Sequence, residues 1–478
     1  MRRVLVLFCA VAVVLGGVLA GPVAAAVGLA RVSGPTPFGH CPADARLPPG
    51  AVEPQVAANP VDPDNIVALW TQDRFSGLVA GVSFDRGRTW QRVVVPGTSR
   101  CTGGPFGSVD EAWLSFGPTG VVHLTGKVFG TPEVPSGLIT ARSDDGGRTW
   151  SPPVLVAAQR DPAQGGFTSA PITADPRDPA RLYAAGSTVT EPSAEGEPFR
   201  GPAFFTRSDD GGRSWHPART TYDPGPGRLT TGHQLSVLPG GLLIDSFTRV
   251  DLTATPPRMR LDVIHSTDGG HTWSSPVAVA EMRTAGVHDP ERPEDSVAGG
   301  SGMVADPAVD PLTGRIYLVW QDARFTARAA DSIALSASDD GGRTWTTPAP
   351  VNATPSSIPT GNRQAFTTSV DVAADGTVAV AYSDFRNNTL GGALLTDRWL
   401  VTCQARCTTT AGYTSEARLT PQPFDMHDAT MLADIGPPGY FLGDYAGLTH
   451  TGRNFITVFA HPCGADPAVV SSVRVSAT

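Results

Sequence analysis

"SDDGGRTW", residues 143–150, is the stretch whose reading decides the fold, because the chain writes it repeatedly. "SFDRGRTW" occupies 83–90, "SDDGGRSW" 208–215, "STDGGHTW" 266–273 and "SDDGGRTW" again 338–345. All five copies fit S-x-D-x-G-x-[ST]-W, and their first serines are 60, 65, 58 and 72 residues apart. Recurrence of this kind marks repeated supersecondary units.

The residue types say what each copy does. Short apolar or mixed runs flank it, "GLITAR" before and "SPPVLVAA" after the second copy. These read as strands, and the polar Gly-rich centre as the turn between them. Asp145 suits an Asx-type turn, Gly147 a positive φ, and Ser143 and Thr149 supply hydroxyls to turn groups. Trp150 offers a large apolar face and an N–H that needs a partner. The aspartates at Asp85, Asp145, Asp210, Asp268 and Asp340 are therefore read as structural.

This motif resembles the Asp-box, or BNR repeat, of the sialidase superfamily, and the resemblance covers nearly all of the chain after its first residues. It implies an all-β propeller in which the box joins the third and fourth strands of a blade, on the face away from the active site. The surrounding sequence fits. Ahead of each box lie two strands joined by a Pro/Asp/Gly turn, as in "PQVAAN"–"PVDPDN"–"IVALWTQDRF" and "DPAVD"–"PLTGR"–"IYLVWQDARF". Four antiparallel strands per unit make a blade. A sixth unit opens with "TTSVDVAADGTVAVAYSDFRNN" but has "TCQARCTTTAGYT" where its box belongs. A seventh runs from "YFLGDYAGL" through "FITVFAH" to "AVVSSVRVSA", and "VGLARVSG" near the N-terminus supplies its fourth strand. The expectation is a seven-bladed propeller of four-stranded antiparallel blades, its ring closed by the N- and C-terminal strands so that no sheet edge stays open. Six blades, the number in the sialidase propeller, is the alternative.

Composition sets the compartment and excludes some partners. Arg2 and Arg3 precede an uncharged run from Val4 to Leu29, and Ala24-Ala25-Ala26 offers a cleavage site. Residues 1–26 read as a signal peptide, 27–50 as a segment contributing to ring closure, and 51–478 as the propeller. The protein is expected to be secreted and monomeric, with membrane attachment only if the leader stays uncleaved. Net charge is −9, or −11 once the two leader arginines are removed (−9 minus 2), and no basic patch appears, which excludes nucleic acid. Lys127 is the only lysine, a bias that GC-rich coding explains. After the leader five cysteines remain. Cys41–Cys101 and Cys403–Cys407 are the expected disulfides of an exported chain, the second stapling the turn that lacks a box. No spacing reads as a metal site, and no cofactor is expected.

Strand direction places the working face opposite the boxes. The second strands end there in "WTQDRF", "DSFTRVD", "WQDARF" and "YSDFRNN". These supply Arg74, Arg249, Arg324 and Arg386, either braced by Asp73, Asp245, Asp322 and Asp384 or lining a rim for an anionic glycan. The innermost strands begin with Gln55, Asp110, Glu111, Ser169, His233, Gln234, Asp444 and Tyr445. Arg74, Arg249, Arg324, Arg386, His233 and Gln234 are the candidate ligand-binding residues.

"GDYAGL", 443–448, resembles the final-blade motif of bacterial secreted sialidase-like proteins. That resemblance implies Tyr445 as nucleophile, Glu111 as its base, and Asp110 or Asp444 as acid, in a retaining exo-glycosidase that releases terminal acidic sugars. The sialidase F/Y-R-I-P motif is missing, however. The first reading is accordingly a non-catalytic propeller that recognises an extracellular glycan or cell-wall polymer, and the glycosidase is the alternative. Convergence of arginines on Tyr445 and Glu111 favours the enzyme; scattered, Asp-paired arginines favour the binder.

Overall fold

The structure is a computed structural model that describes residues 27–42, 46–159, 166–190, 198–298, 303–352, 354–389, 391–413, 415–432 and 439–476. The expected signal peptide, 1–26, lies outside the described residues.

The described chain is all β, with short 3₁₀ turns and no α-helix among the described residues. Seven sheets with four principal antiparallel strands follow one another. The first runs Ala51–Ala58, Ile66–Gln72, Gly77–Ser83 and Gln91–Val94. The second, third, fourth, fifth and sixth sheets begin with Ser108–Phe116, Ile172–Ala174, Arg228–Val237, Asp306–Val309 and Ala365–Val372. The seventh comprises Gly447–Thr451, Asn454–Cys463 and Asp466–Ser476, and its fourth strand is Val27–Arg31, with Val27 opposite Arg474 and Arg31 opposite Ser471. "YFLGDYAGL" is not the single strand expected. Gly443 adopts φ 119° and interrupts it, and Gly439–Phe441 joins a separate three-stranded sheet with Thr430–Leu432 and Ser296–Ala298.

The second strands Ile66–Gln72, Ile316–Asp322 and Val378–Asp384 are buried at every residue, which is why they read as unbroken apolar runs rather than alternating ones. Both faces of each sheet are covered. Apolar clusters sit between consecutive sheets: Val67 and Leu69 with Leu114 and Leu124, Tyr183 and Phe205 with Leu235 and Leu243, Val319 and Leu335 with Val370 and Val380. A further cluster joins Ile456, Val458 and Val470 of the seventh sheet to Ile66, Ala68 and Trp70 of the first.

Each eight-residue repeat closes the turn between third and fourth strands by one bonding scheme. In the second sheet Ser143 Oγ donates to Asp145 Oδ1 at 2.7 Å and accepts from the Gly147 N–H at 2.8 Å. Asp145 also accepts from the Thr149 N–H at 2.9 Å and hydroxyl at 2.7 Å. Asp85, Asp210, Asp268 and Asp340 repeat the scheme. Gly147 sits at φ 97°, where a Cβ would strain the backbone. The tryptophans wedge between sheets: Trp150 packs between the first and second, Trp273 between the third and fourth, and Trp90 between the seventh and first. The repeats share a face with the first-to-second-strand turns. Asn65 donates to the Gly146 carbonyl at 3.0 Å, Arg86 bonds Asp64, and Arg315 bonds Asp339.

Cys41 is bonded to Cys101, tying the N-terminal segment to the loop after the first sheet. Cys403 ends the third strand of the sixth sheet and is bonded to Cys407, in the turn where the repeat is missing.

Candidate functional site

On the face opposite the repeats, the inner strands of the first, second, fourth and sixth sheets each carry a one-residue bulge. Register slips between Val52 and Gln55, Asp110 and Trp113, Thr231 and Gln234, and Phe366 and Ser369. The extra residue is left-handed at Glu53 (φ 57°), Glu111 (φ 50°), Gly232 (φ 63°) and Thr367 (φ 48°). Non-glycine residues there are strained, and bulges re-aim the side chains beside them. Two of the three strained positions are glutamates, and both lie at one place.

That place joins three sheets. Glu53 comes from the first, Asp110, Glu111 and Lys127 from the second, Asp444 and Tyr445 from the entry to the seventh. The Glu53 N–H bonds the Leu442 carbonyl at 3.3 Å. A Cβ on Gly443 would stand 2.7 Å from the Glu53 nitrogen, so only glycine permits this approach. Lys127 Nζ lies 2.5 Å from Glu111 Oε1 and 3.4 Å from Asp110 Oδ2. The Tyr445 hydroxyl donates to the Ala112 carbonyl at 3.3 Å, and its ring meets Trp113 edge-on at 5.2 Å.

Electrostatics make this corner unusual. Glu53 is 4% exposed and Asp110 6%, and neither Glu53 Oε2 nor Asp110 Oδ1 has a hydrogen-bond partner. Burial first, then repulsion from Asp444, Asp110 and Glu111, pushes the Glu53 carboxyl well above the usual range and favours its protonated form. Burial likewise raises Asp110 to about 7, against the pull of Lys127. Burial alone would lower Lys127, but Glu111 and Asp110 overcome it and keep the ammonium charged. Burial and the surrounding carboxylates push the Tyr445 phenol up, the opposite of what an activated phenolate nucleophile needs.

The four arginines do not gather here. Arg324 is held by Asp322 at 2.7 Å. Arg386 lies between Asp384 and Glu416 at 2.5 and 2.7 Å, stacked 3.9 Å over Trp399. Arg249 pairs with Asp262 at 3.1 Å and not with Asp245. Arg74 donates to the Leu47 carbonyl at 2.8 Å, while Asp73 accepts from the Gly50 N–H. His233 does not present itself to a ligand. It is 1% exposed, held between Asp245 at 2.9 Å and the Ser187 hydroxyl at 3.1 Å, and it stacks on Phe247. Gln234 is buried beside it. The Ser187–His233–Asp245 chain has the order of a hydrolytic triad, but all three are buried, and Ser187 also lies 2.6 Å from the Thr230 carbonyl. It is an internal brace.

Sequence reasoning missed Glu53 and passed over Lys127. The signals were present: an acid inside an apolar strand start, "AVEPQVAA", and the chain's only lysine.

No protein-family model and no curated protein matches the sequence. Solved structures do resemble it. An arabinanase of Penicillium chrysogenum complexed with arabinobiose is 14% identical, with 94% of this chain and 98% of that one covered, at a TM-score of 0.49. A Hadza microbial sialidase is 15% identical, covering 87% and 74%, at 0.48. A protein of unknown function from Dyadobacter fermentans is 18% identical, covering 77% and 95%, at 0.48. At these identities the likeness is one of chain course and names no substrate for this chain.

Proposed function

We propose that the chain is a secreted, closed seven-bladed propeller that acts on a glycan at the face opposite its repeats, with Glu53 as the proton donor. Closure is supported by Val27–Arg31 completing the seventh sheet and by the apolar cluster between the seventh and first sheets. Export is supported by the two disulfides, which persist in oxidising compartments. No described helix is long and apolar enough to cross a membrane.

The observation that carries the chemistry is the Glu53 carboxyl: buried, raised, and with one oxygen unbonded. A carboxyl shifted toward its protonated form beside an ion-paired Glu111 has the asymmetry by which two carboxyls divide acid and base roles in glycoside hydrolysis. Glu53 gives its proton to the glycosidic oxygen as the bond from that oxygen to the sugar carbon breaks, and Glu111 takes a proton from the water that adds to that carbon. Even with Glu53 shifted toward its neutral form, Asp110, Glu111 and Asp444 outnumber the one ammonium and disfavour an anionic sugar, so the substrate class is neutral glycan and not the acidic sugar of a sialidase. Tyr445 serves as an aromatic wall with Trp113.

A panel of fluorogenic glycosides, neutral and sialylated, tests this. Turnover of a neutral glycoside is expected, and Glu53→Gln abolishes it while leaving the fold intact. Preference for sialosides, or full activity in Glu53→Gln, refutes the assignment. Binding without turnover is the second reading, favoured by the scattered, Asp-paired arginines Arg249, Arg324 and Arg386 and by the engagement of Glu111 by Lys127; glycan capture with no hydrolysis of any glycoside in the panel would establish it instead.

A further inference from the structure

His427 stands where three stretches of chain meet on the working face. The first is a hairpin between the fourth and fifth sheets, in which the Val297 N–H donates to the Val287 carbonyl at 2.8 Å and the Asp289 N–H to the Asp295 carbonyl at 2.9 Å. The second carries His427 in the short turn Met426–Asp428 and leads into Thr430–Leu432 and Gly439–Phe441. The third is the loop of the sixth sheet that holds Gly392, between Val378–Asp384 and Leu395–Cys403. The first two join as a cap, Ser296–Ala298 pairing in parallel with Gly439–Phe441. Phe441 packs with Val52 and Phe75 of the first sheet, and the next residue, Leu442, offers the carbonyl that the Glu53 N–H bonds. The cap therefore backs the acidic corner.

The His427 ring is bonded on both sides. Nδ1 lies 2.9 Å from the Gly392 carbonyl and Nε2 2.8 Å from Asp289 Oδ2. A carbonyl oxygen only accepts, so Nδ1 carries a proton. Burial pulls the Asp289 carboxyl up, but the Glu291 N–H, the His427 ring and the Arg292 N–H outweigh it and hold it below its ordinary range. An ionised carboxylate also only accepts, so Nε2 carries a proton as well. Both bonds are made together by the imidazolium, and histidine is the side chain that ordinarily changes charge between about pH 5 and 8. Asp425 Oδ1 lies 3.6 Å from Nδ1, the Tyr440 ring is 5.3 Å away, and Asp428 follows in the same turn. Around them Arg292 lies 3.7 Å from Asp289, 3.8 Å from Asp295 and 3.5 Å from the Tyr440 hydroxyl, and Glu291 Oε2 accepts from the Gly392 N–H at 3.3 Å. The acids nearest the ring favour its charge, and Arg292 opposes it.

We propose that His427 is a pH-operated latch and a positioning residue for the acidic corner. As an imidazolium it ties the cap to the sixth sheet and seats Leu442 against Glu53. As pH rises through its titration one of its two bonds is lost and the cap loosens. Its effect on turnover rests on the reading of Glu53 as proton donor; the latch itself does not.

Hydrogen exchange of the full chain, read by mass spectrometry between about pH 5.5 and 8.5 and corrected for the intrinsic rate, tests it. Protection of Ser296–Ala298 and Gly439–Phe441 relative to Ile66–Gln72 is expected to fall by on the order of tenfold over that interval. Division by Ile66–Gln72 removes the global loss due to Asp110, Asp306, Asp331 and Asp384. His427→Gln removes the dependence. Asp289→Asn reverses it, because an amide N–H facing Nε2 needs the neutral ring, whose Nδ1–H still meets Gly392. Should one variant fail to fold, the other decides. A flat ratio in the wild type, a dependence that survives in His427→Gln, or an Asp289→Asn cap that loosens with rising pH each overturns the proposal. Glycoside turnover does not enter the measurement: a flat ratio sinks the latch and leaves the Glu53 assignment standing, and full activity in Glu53→Gln sinks that assignment and leaves the latch.

Discussion

Asp110→Asn should flatten the fall in stability of this protein between mildly acidic and alkaline pH. The carboxyl is raised from its ordinary 3.8 to about 7, chiefly by burial. Between those values the folded state holds a proton that the unfolded chain has released. The stability from that proton is full below 3.8 and is lost as pH rises through 7. At about 1.4 kcal/mol per pH unit, moving from about pH 5 to pH 8.5 crosses roughly two units of this loss, so Asp110 removes about 2–3 kcal/mol. Asparagine keeps the shape of the protonated acid and has no proton to lose. Asp306, Asp331 and Asp384, raised to about 7, 6 and 6 by burial, slope the same way in both proteins, so the difference between them reports Asp110 together with Glu53, which loses the repulsion from Asp110. Urea unfolding followed by the fluorescence of the nine tryptophans measures it. The variant should gain on the wild type by that amount over the interval. Parallel pH dependence, or a variant that loses ground at high pH, would falsify the account of the acidic corner.

Other consequences follow from single side chains. Asp145→Ala leaves the Thr149 and Ser143 groups without their acceptor and should cost about 1–3 kcal/mol, the smaller part if water replaces the carboxylate; calorimetry shows the loss, and an altered glycan preference would mean that the repeat is itself a site. Tyr445→Phe removes only a long bond to the Ala112 carbonyl, so Tm should hold while glycan affinity weakens modestly through lost solvation of the site; a collapse of Tm would make the hydroxyl structural. Loop-closure entropy ranks the disulfides: Cys41–Cys101 spans 60 residues and Cys403–Cys407 spans 4, so opening the first should cost about 4 kcal/mol and the second about 2. Serine variants of each pair, unfolded in denaturant, check the order.

The sequence by itself determined whatever is local. A turn that needs one aspartate, two hydroxyls and a left-handed glycine can be built only from neighbouring residues, so Asp85, Asp145, Asp210, Asp268 and Asp340 announce it, and the spacing between them announces the sheets. Cys403 and Cys407 were legible for the same reason. Tertiary structure decided what depends on neighbours distant in the chain. Glu53, Glu111, Lys127 and Tyr445 meet because the seventh sheet packs on the first, and bulges that no periodicity predicts turn two glutamates inward. Arg386 and Arg398 stand twelve residues apart in one sheet; one is met by two carboxylates and the other by none. His233 has the sequence setting of a rim residue and lies inside. Charge is written in the sequence, but the dielectric around it belongs to the packed molecule, and that difference separates a solvated acid from one that keeps its proton.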